Sequence, residues 1–285
     1  AGVPFLAHLL SRIRDAGLTH VVLGTSYRAE TFNEYFGDGA GFGLEIEYVV
    51  ENEPLGTGGA IRNVADRLRG STTMIFNGDI LSGVDLAALH RTHLDASADV
   101  TLHLVKVADP RRFGSVPTDA TGRVTAFVEK SDAPPTDQIN AGCYVFRREV
   151  LEQIPAGRVV SVERETFPGL LERGAHLHGY VDASYWLDLG TPEAFVRGSA
   201  DLVQGIAPTA ALPGPPGAAL TLSGAVVDPS ATVTGGSTVG EDAVVGAGAC
   251  VDGSILFAGA RVEPGARVIR SIVGVQRISS GTVTV

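Results

Sequence analysis

The chain has 285 residues, 44% hydrophobic and 19% charged, with 22 Lys plus Arg against 32 Asp plus Glu for a net charge of −10. At about 150 residues per domain this is one or two domains with a sizeable core, and the acidic balance without a long basic cluster excludes a nucleic-acid partner. Two cysteines, Cys143 and Cys250, make no disulfide framework, which points to a reducing, cytoplasmic setting.

In chain order, Phe5, Leu6, Leu9, Leu10 and Ile13 form an apolar stripe between Pro4 and Gly17, which predicts an amphipathic helix over 5–16. Val21–Leu23 reads as a short strand, a polar helix follows through Glu34, and Leu44–Val50 reads as a second strand before a helix near Ile61–Leu68. Thr73–Phe76, a helix from Leu86 and Val100–Val107 continue the rhythm. Strands alternating with helices at crossover spacing predict an α/β layer with a largely parallel sheet sandwiched by helices.

The uncharged run from Leu202 to Val227 is long enough to reach across a bilayer, but Pro208, Pro213, Pro215, Pro216 and several glycines break it, so it reads as a linker and no membrane partner is expected. No signal peptide is visible, and the sole methionine is Met74, so residue 1 is expected to lie inside a longer reading frame. Beyond the linker, Val227, Val233, Val239, Val245 and Val251 recur six apart, and the pattern resumes one residue short at Leu256, Val262 and Val268. Six is not a helical period, and an ordinary β-sandwich would alternate every two residues. With Gly, Ala, Ser or Pro at most intervening corners, the run resembles the hexapeptide repeats of left-handed parallel β-helices. From Val275 to Val285 the six-residue rule lapses, so the last coil is expected to be incomplete.

Five segments carry chemistry. Leu55-Gly56-Thr57-Gly58-Gly59-Ala60 joins a strand to a helix; it lacks the Gly-Lys-Ser/Thr of a Walker loop and has Ile61 where a dinucleotide fingerprint needs its third glycine. What remains is a loop without side-chain bulk, able to approach a base or ribose, or simply a tight turn. Phe76-Asn77-Gly78-Asp79 ends an apolar strand, where Asp79 is either a metal ligand or the cap of the next helix. Tyr185-Trp186-Leu187-Asp188-Leu189-Gly190-Thr191-Pro192 sets Asp188 among apolar neighbours, where an unpaired charge is costly and a cation is called for. Two such acids fit Mg²⁺ beside phosphates.

Glu129-Lys130 follows a hairpin turn at Thr121-Gly122; with 20 Arg and only Lys106 and Lys130 in the chain, Lys130 is either a compact charge for a phosphate or half of a surface pair. Asn140-Ala141-Gly142-Cys143-Tyr144 enters a strand, where the amide could read sugar hydroxyls or merely mark a turn before an edge strand. The histidines, His90, His93, His176 and His178 among them, read as structural, and no Gly-x-Ser-x-Gly elbow or Cys-pair metal motif is present.

In order, Leu-Gly-Thr-Gly-Gly-Ala, Asn-Gly-Asp, Glu-Lys, Asn-Ala-Gly and Trp-x-Asp-x-Gly-Thr-Pro resemble the sugar-1-phosphate nucleotidyltransferases, and among them the bacterial mannose-1-phosphate guanylyltransferases most. The similarity covers nearly the whole chain, since that family also appends a hexapeptide-repeat β-helix. It implies a Rossmann-like catalytic domain over 1–205, a Pro/Gly linker over 206–222 and a left-handed β-helix over 223–285. The implied reaction is attack of a sugar 1-phosphate on the α-phosphorus of a nucleoside triphosphate with release of pyrophosphate. GTP and mannose 1-phosphate would give GDP-mannose, with adenylyl or thymidylyl transfer to glucose 1-phosphate as the alternative. By the same resemblance Asp79 and Asp188 hold Mg²⁺, and Leu55, Gly56, Thr57, Gly58 and Gly59, with Asn77 and Gly78, contact the nucleotide. Lys130 takes the sugar phosphate, while Gly114, Glu129 and Asn140 take the sugar.

The family's opening strand and its Gly-Gly-x-Gly-Thr-Arg loop, followed by Pro-Lys, have no counterpart in these residues. That strand is central in the family's sheet, so two strands here are expected to have unpaired edges. A reading from another class is a non-catalytic nucleotide-sugar-binding regulatory or scaffold subunit, which the intact Asp79, Lys130 and Asp188 oppose. Acyl transfer on the coils would want a histidine base, and no histidine follows His178. The coils are expected instead to join copies into a homo-oligomer.

Overall fold

The computed structural model describes residues 1–25, 29–275, 277, 278 and 282–284. It forms two compact units: one of Ile13–Asn77 and Val84–Ser184, the other of Ala1–Arg12, Gly78–Gly83 and Tyr185–Val285.

The first unit is built on a sheet in the order Val128–Glu129, Gly114–Ser115, Gln138–Arg147, Val100–Lys106, Leu177–Asp182, with Thr72–Phe76 also on Gln138–Arg147. Leu177–Asp182 runs parallel to Val100–Lys106, but every pairing of Gln138–Arg147 is antiparallel. The expected, largely parallel sheet is therefore corrected to a mixed one. The reason is local: between Val100–Lys106 and Gln138–Arg147 the chain makes a β excursion through Gly114–Ser115 and Val128–Glu129 rather than the helical crossover that a parallel return needs. Strand–helix alternation suggested crossovers throughout, but the strand Val100–Lys106, buried from Val100 to Val105, pairs antiparallel on one side and parallel on the other. Tyr144, Phe146 and Phe167 pack centrally, with the Tyr144 and Phe167 rings 5.2 Å apart.

In the same unit His20–Thr25 pairs in parallel with Glu45–Val50. Among the described residues each of His20–Thr25 and Thr72–Phe76 has a single strand partner, matching the expected unpaired edges. Helices form there at Ala29–Phe36, Gly56–Asn63 and Leu86–Asp95, while the helix Phe5–Asp15 begins in the second unit. His90 and His93 are structural, bonded to the hydroxyls of Thr72 (3.1 Å) and Thr101 (3.0 Å), and burial pushes the His93 imidazole down to about 4.

In the second unit Ile80–Ser82 pairs antiparallel with Trp186–Asp188, the helix Pro192–Val203 follows, and the remaining chain winds into a parallel β-helix of three four-stranded sheets. The six-residue valines stack coil on coil: Val227, Val245 and Val262 on one face, and Val233, Val251 and Val268 on another. The step is 18 residues from Val233 to Val251 and 17 from Val251 to Val268, so the residue missing from the sequence pattern is a shortened coil. Where it shortens, serines form a ladder, with the Ser254 amide donating to Ser237 Oγ (3.0 Å) and the Ser271 amide to Ser254 Oγ (3.1 Å). These hydroxyls satisfy buried amides that a regular coil would leave to its corner.

Two boundaries differ in detail from expectation. Ala219–Thr221, inside the stretch read as linker, is a strand on Ser237–Val239. At the far end Arg277–Ile278 and Thr282–Thr284 extend their sheets although the six-residue rule has lapsed, because coil pairing tolerates shorter corners. The rest of that last segment, 276, 279–281 and 285, lies outside the described residues.

Candidate active site

The two acids singled out in the sequence are neighbours in the second unit. Asp79 immediately precedes the strand Ile80–Ser82, and Asp188 ends the strand that faces it, in register with Ile80. The Leu189 amide donates to the Asp79 carbonyl at 3.0 Å, which ties the two strand ends together. Asp188 Oδ1 accepts from the Gly190 amide at 2.8 Å. Thr191 then caps the helix Pro192–Val203, its hydroxyl accepting from Ala194 N at 3.2 Å, with Pro192 in the first turn where its missing N–H costs nothing. The Asp-x-Gly-Thr-Pro string is thus a strand end, a turn and a helix start that together present one carboxylate.

The Asp79 side chain as a whole is exposed, yet burial around its carboxyl pushes that group up, and the Asp188 charge pushes it further the same way. Its own backbone amide opposes the rise. Among the described residues no cationic side chain pairs with either acid. The alternative of a helix cap for Asp79 is set aside, since Asp85 caps Leu86–Asp95 by accepting from Ala88 N at 2.9 Å. Two oxygen donors so placed, one of them costly to ionise beside the other's charge, could hold a hard divalent cation.

The remaining candidates belong to the first unit, except Gly78, which directly precedes Asp79 in the second. Leu55–Ala60 is not a loop: Leu55 is the N-cap and Gly56–Asn63 is helical. The Gly58 and Gly59 amides both donate to the Val160 carbonyl, at 2.8 and 3.2 Å, and a Cβ on Gly59 would fall 2.7 Å from the Arg158 carbonyl oxygen. The lack of side-chain bulk here serves a close backbone approach by residues 158–160. Thr57 Oγ1 accepts from Val162 N (2.9 Å) and donates to Glu163 Oε2 (2.7 Å).

Gly114 and Glu129 are register partners in a two-residue ladder. Burial pushes the Glu129 carboxyl up and the Glu163 charge adds to it, while Lys130 and Arg164 pull it down. Lys130 Nζ stands 3.8 Å from Glu129 Oε1, and Lys130 holds a left-handed backbone at φ 44°, a conformation that costs a non-glycine residue about 1 kcal/mol. Strain kept at a charged, exposed residue beside a half-buried acid keeps Lys130 among the candidates. Asn140 lies inside Gln138–Arg147, a central strand and not the edge strand considered for it. Its amide nitrogen donates to Tyr144 Oη (2.7 Å) and its Oδ1 accepts from Gly142 N (3.1 Å). Gly142, at φ 76°, turns its carbonyl to the Asn77 amide (2.8 Å), and a Cβ there would lie 2.9 Å from Asn77 Nδ2.

A nucleotidyl transferase family model matches residues 1–205. The chain belongs to that family. This nucleotidyltransferase is 60% identical over 271 residues, 95% of its length and 76% of the relative's, to a mannose-1-phosphate guanylyltransferase of Mycobacterium tuberculosis. It is 33% identical over 202 residues to a mannose-1-phosphate guanyltransferase of Neurospora crassa, covering 54% of that protein. A crystal structure of HddC from Yersinia pseudotuberculosis complexed with GMP-PN superposes with a TM-score of 0.59 at 30% identity, over 67% of this chain and 82% of that one.

Sequence reading missed Glu163. Ser161 followed by Glu163 and Glu165 looks like an N-cap with acids in the first turn, and Ser161 does cap there, accepting from Arg164 N at 3.1 Å. That local pattern gives no sign of the hydrogen bond Glu163 Oε2 accepts from Thr57 Oγ1. Sequence reading also passed over His20, Glu45 and Glu47, whose ligand atoms lie within 4.8 Å of one another. Arg67 and Arg69 already pair with those carboxylates, so the charge there is met by the protein itself. No described helix is long and apolar enough to cross a membrane.

Proposed function

We propose that this nucleotidyltransferase joins GTP and mannose 1-phosphate into GDP-mannose and pyrophosphate. The observation that carries the reading is 60% identity over 95% of the chain to a protein of that name. The solved structure with GMP-PN, a guanine nucleotide analogue on a 30% identical chain, supports the choice of base.

Asp79 and Asp188 fit Mg²⁺: both offer oxygen, they adjoin across one strand pair, and burial with the neighbouring Asp188 charge makes an ionised Asp79 costly without a cation. Bound there, the ion would neutralise phosphate charge as it builds at the α-phosphorus. The chain's own part is alignment. Lys130 supplies a point charge to the phosphate of the sugar 1-phosphate, the group that attacks; Glu129 and Asn140 take sugar hydroxyls next to it, with Gly114 leaving room. Leu55, Gly56, Thr57, Gly58 and Gly59, with Asn77 and Gly78, serve the nucleotide, chiefly by shape, since the Gly58 and Gly59 amides are bonded to Val160. Holding two anions in attacking geometry supplies most of what such a transfer asks of a protein. The reaction belongs to the cytoplasm, where nucleoside triphosphates are plentiful, and the β-helix is assigned to self-association.

The test is pyrophosphate release by the purified full-length protein with Mg²⁺ and a panel of GTP, ATP and dTTP against mannose and glucose 1-phosphates. The greatest kcat/KM is expected for GTP with mannose 1-phosphate. Release only with glucose 1-phosphate, or with none of the pairs, overturns the assignment.

A further inference from the structure

We propose that Glu163 is a second sugar-side carboxylate, sharing with Glu129 the hydroxyls of the hexose 1-phosphate, and that Thr57 is the positioning residue that aims it. This rests on the activity proposed above and names a part of it that the motifs do not contain.

Glu163 Oε2 receives hydrogen bonds from Thr57 Oγ1 at 2.7 Å and Ser161 Oγ at 2.9 Å. Each hydroxyl is itself an acceptor, Thr57 from Val162 N at 2.9 Å and Ser161 from Arg164 N at 3.1 Å. A hydroxyl has one proton to give. Both protons are committed to the same oxygen, so the carboxylate is clamped in one rotamer with Oε2 saturated. Oε1 takes no hydrogen bond among the described residues.

Glu163 lies close enough to Glu129 for its charge to bear on that half-buried carboxyl, and Lys130 at 3.8 Å is the nearest compensation Glu129 has. A half-buried acid beside a second carboxylate that has an oxygen free is an unfavourable arrangement unless donors arrive with the ligand. A pyranose brings neutral O–H donors on adjacent carbons, which two neighbouring acceptors can grip together. The clamp starts in the helical turn Gly56–Asn63 and ends on the sugar-side acid, joining the segment assigned to the nucleotide with the one assigned to the sugar through one hydroxyl. The π-type turn Val162–Thr166 that carries Glu163 is a rare geometry frequent at functional sites.

Glu163→Gln keeps an oxygen for the two hydroxyls and puts an N–H₂ where Oε1 was, turning an acceptor into a donor with little change of shape. Its KM for mannose 1-phosphate is expected to rise about tenfold or more, with KM for GTP within about twofold of wild type. Because the Glu163 charge no longer bears on Glu129, whose other charged neighbours are Lys130 and Arg164, the acid limb of kcat/KM for the sugar phosphate should move to lower pH. Thr57→Val should raise the same KM about three- to tenfold, and Thr57→Ser, which keeps the hydroxyl, should restore it. A merely structural clamp would change melting temperature without this split. Unchanged constants in Glu163→Gln, an equal rise for GTP, or a Thr57→Ser indistinguishable from Thr57→Val each overturn the proposal. Should Glu163→Gln melt far below wild type, the Thr57 pair decides. Calorimetric titration with mannose 1-phosphate reads the same residue without turnover. A wild-type protein that releases no pyrophosphate sinks the activity, whereas undiminished affinity in Glu163→Gln sinks the role of Glu163.

Discussion

Replacing Asp188 with Asn should make the metal-free protein more stable while destroying its response to Mg²⁺. Asp188 lies opposite Ile80, the residue after Asp79, across an antiparallel pair, and its charge raises the Asp79 carboxyl. Two unit charges about 5 Å apart repel by about 1 kcal/mol in water and about 3 kcal/mol at an effective dielectric constant of 20. Asp79 is open to solvent on one side, so the lower figure applies. An acid whose carboxyl is raised in the folded state lowers stability as pH climbs from the ordinary aspartate range through the raised value, and the loss persists above it. At pH 7 with chelator the Asn variant should therefore melt about 2–4 °C higher, the shift for about 1 kcal/mol in a chain of this size. Added Mg²⁺ reverses the order. At a concentration tenfold over its dissociation constant it should stabilise wild type by about 1.4 kcal/mol and the variant by almost nothing. Thermal melts followed by circular dichroism, with chelator and across a Mg²⁺ series, measure both effects alongside turnover, which should fall by at least about a hundredfold. Equal Mg²⁺ responses in the two proteins would refute the metal assignment, and a less stable metal-free variant would refute the repulsion argument.

Lys130→Ala should raise KM for mannose 1-phosphate more than KM for GTP in steady-state assays; the opposite pattern would move Lys130 to the triphosphate. Gly142→Ala forces a side chain into a left-handed backbone at φ 76° and against Asn77 Nδ2, so denaturant unfolding should show a loss of about 1–3 kcal/mol, and an unchanged midpoint would refute the close approach.

The β-helix was legible in the sequence because its period is written into the chain. A valine every six residues can point inward only if the backbone turns a corner at the same interval, and the one irregular interval reappears as the shortened coil between Val251 and Leu256. Helices such as Phe5–Asp15 and Leu86–Asp95 were legible for the same reason, as their stripes and caps lie within a few residues of each other. Asp79 and Asp188 could be picked out as candidates because one closes an apolar strand and the other sits among apolar neighbours.

The tertiary structure decided matters of pairing. Strand direction around Gln138–Arg147 depends on how the intervening chain returns, which composition does not record, so a sheet read as largely parallel from its strand–helix alternation proved mixed. The glycines of Leu55–Gly59 looked like a loop shaped for a ligand, but their amides meet a carbonyl about a hundred residues further on. Glu163 escaped notice because capping accounts for it locally, and its bond to Thr57 spans 106 positions. Periodicity and punctuation are local and survive in the order of residues. Register and the neighbourhood of a charge arise only when distant segments meet, and no single stretch of the chain encodes them.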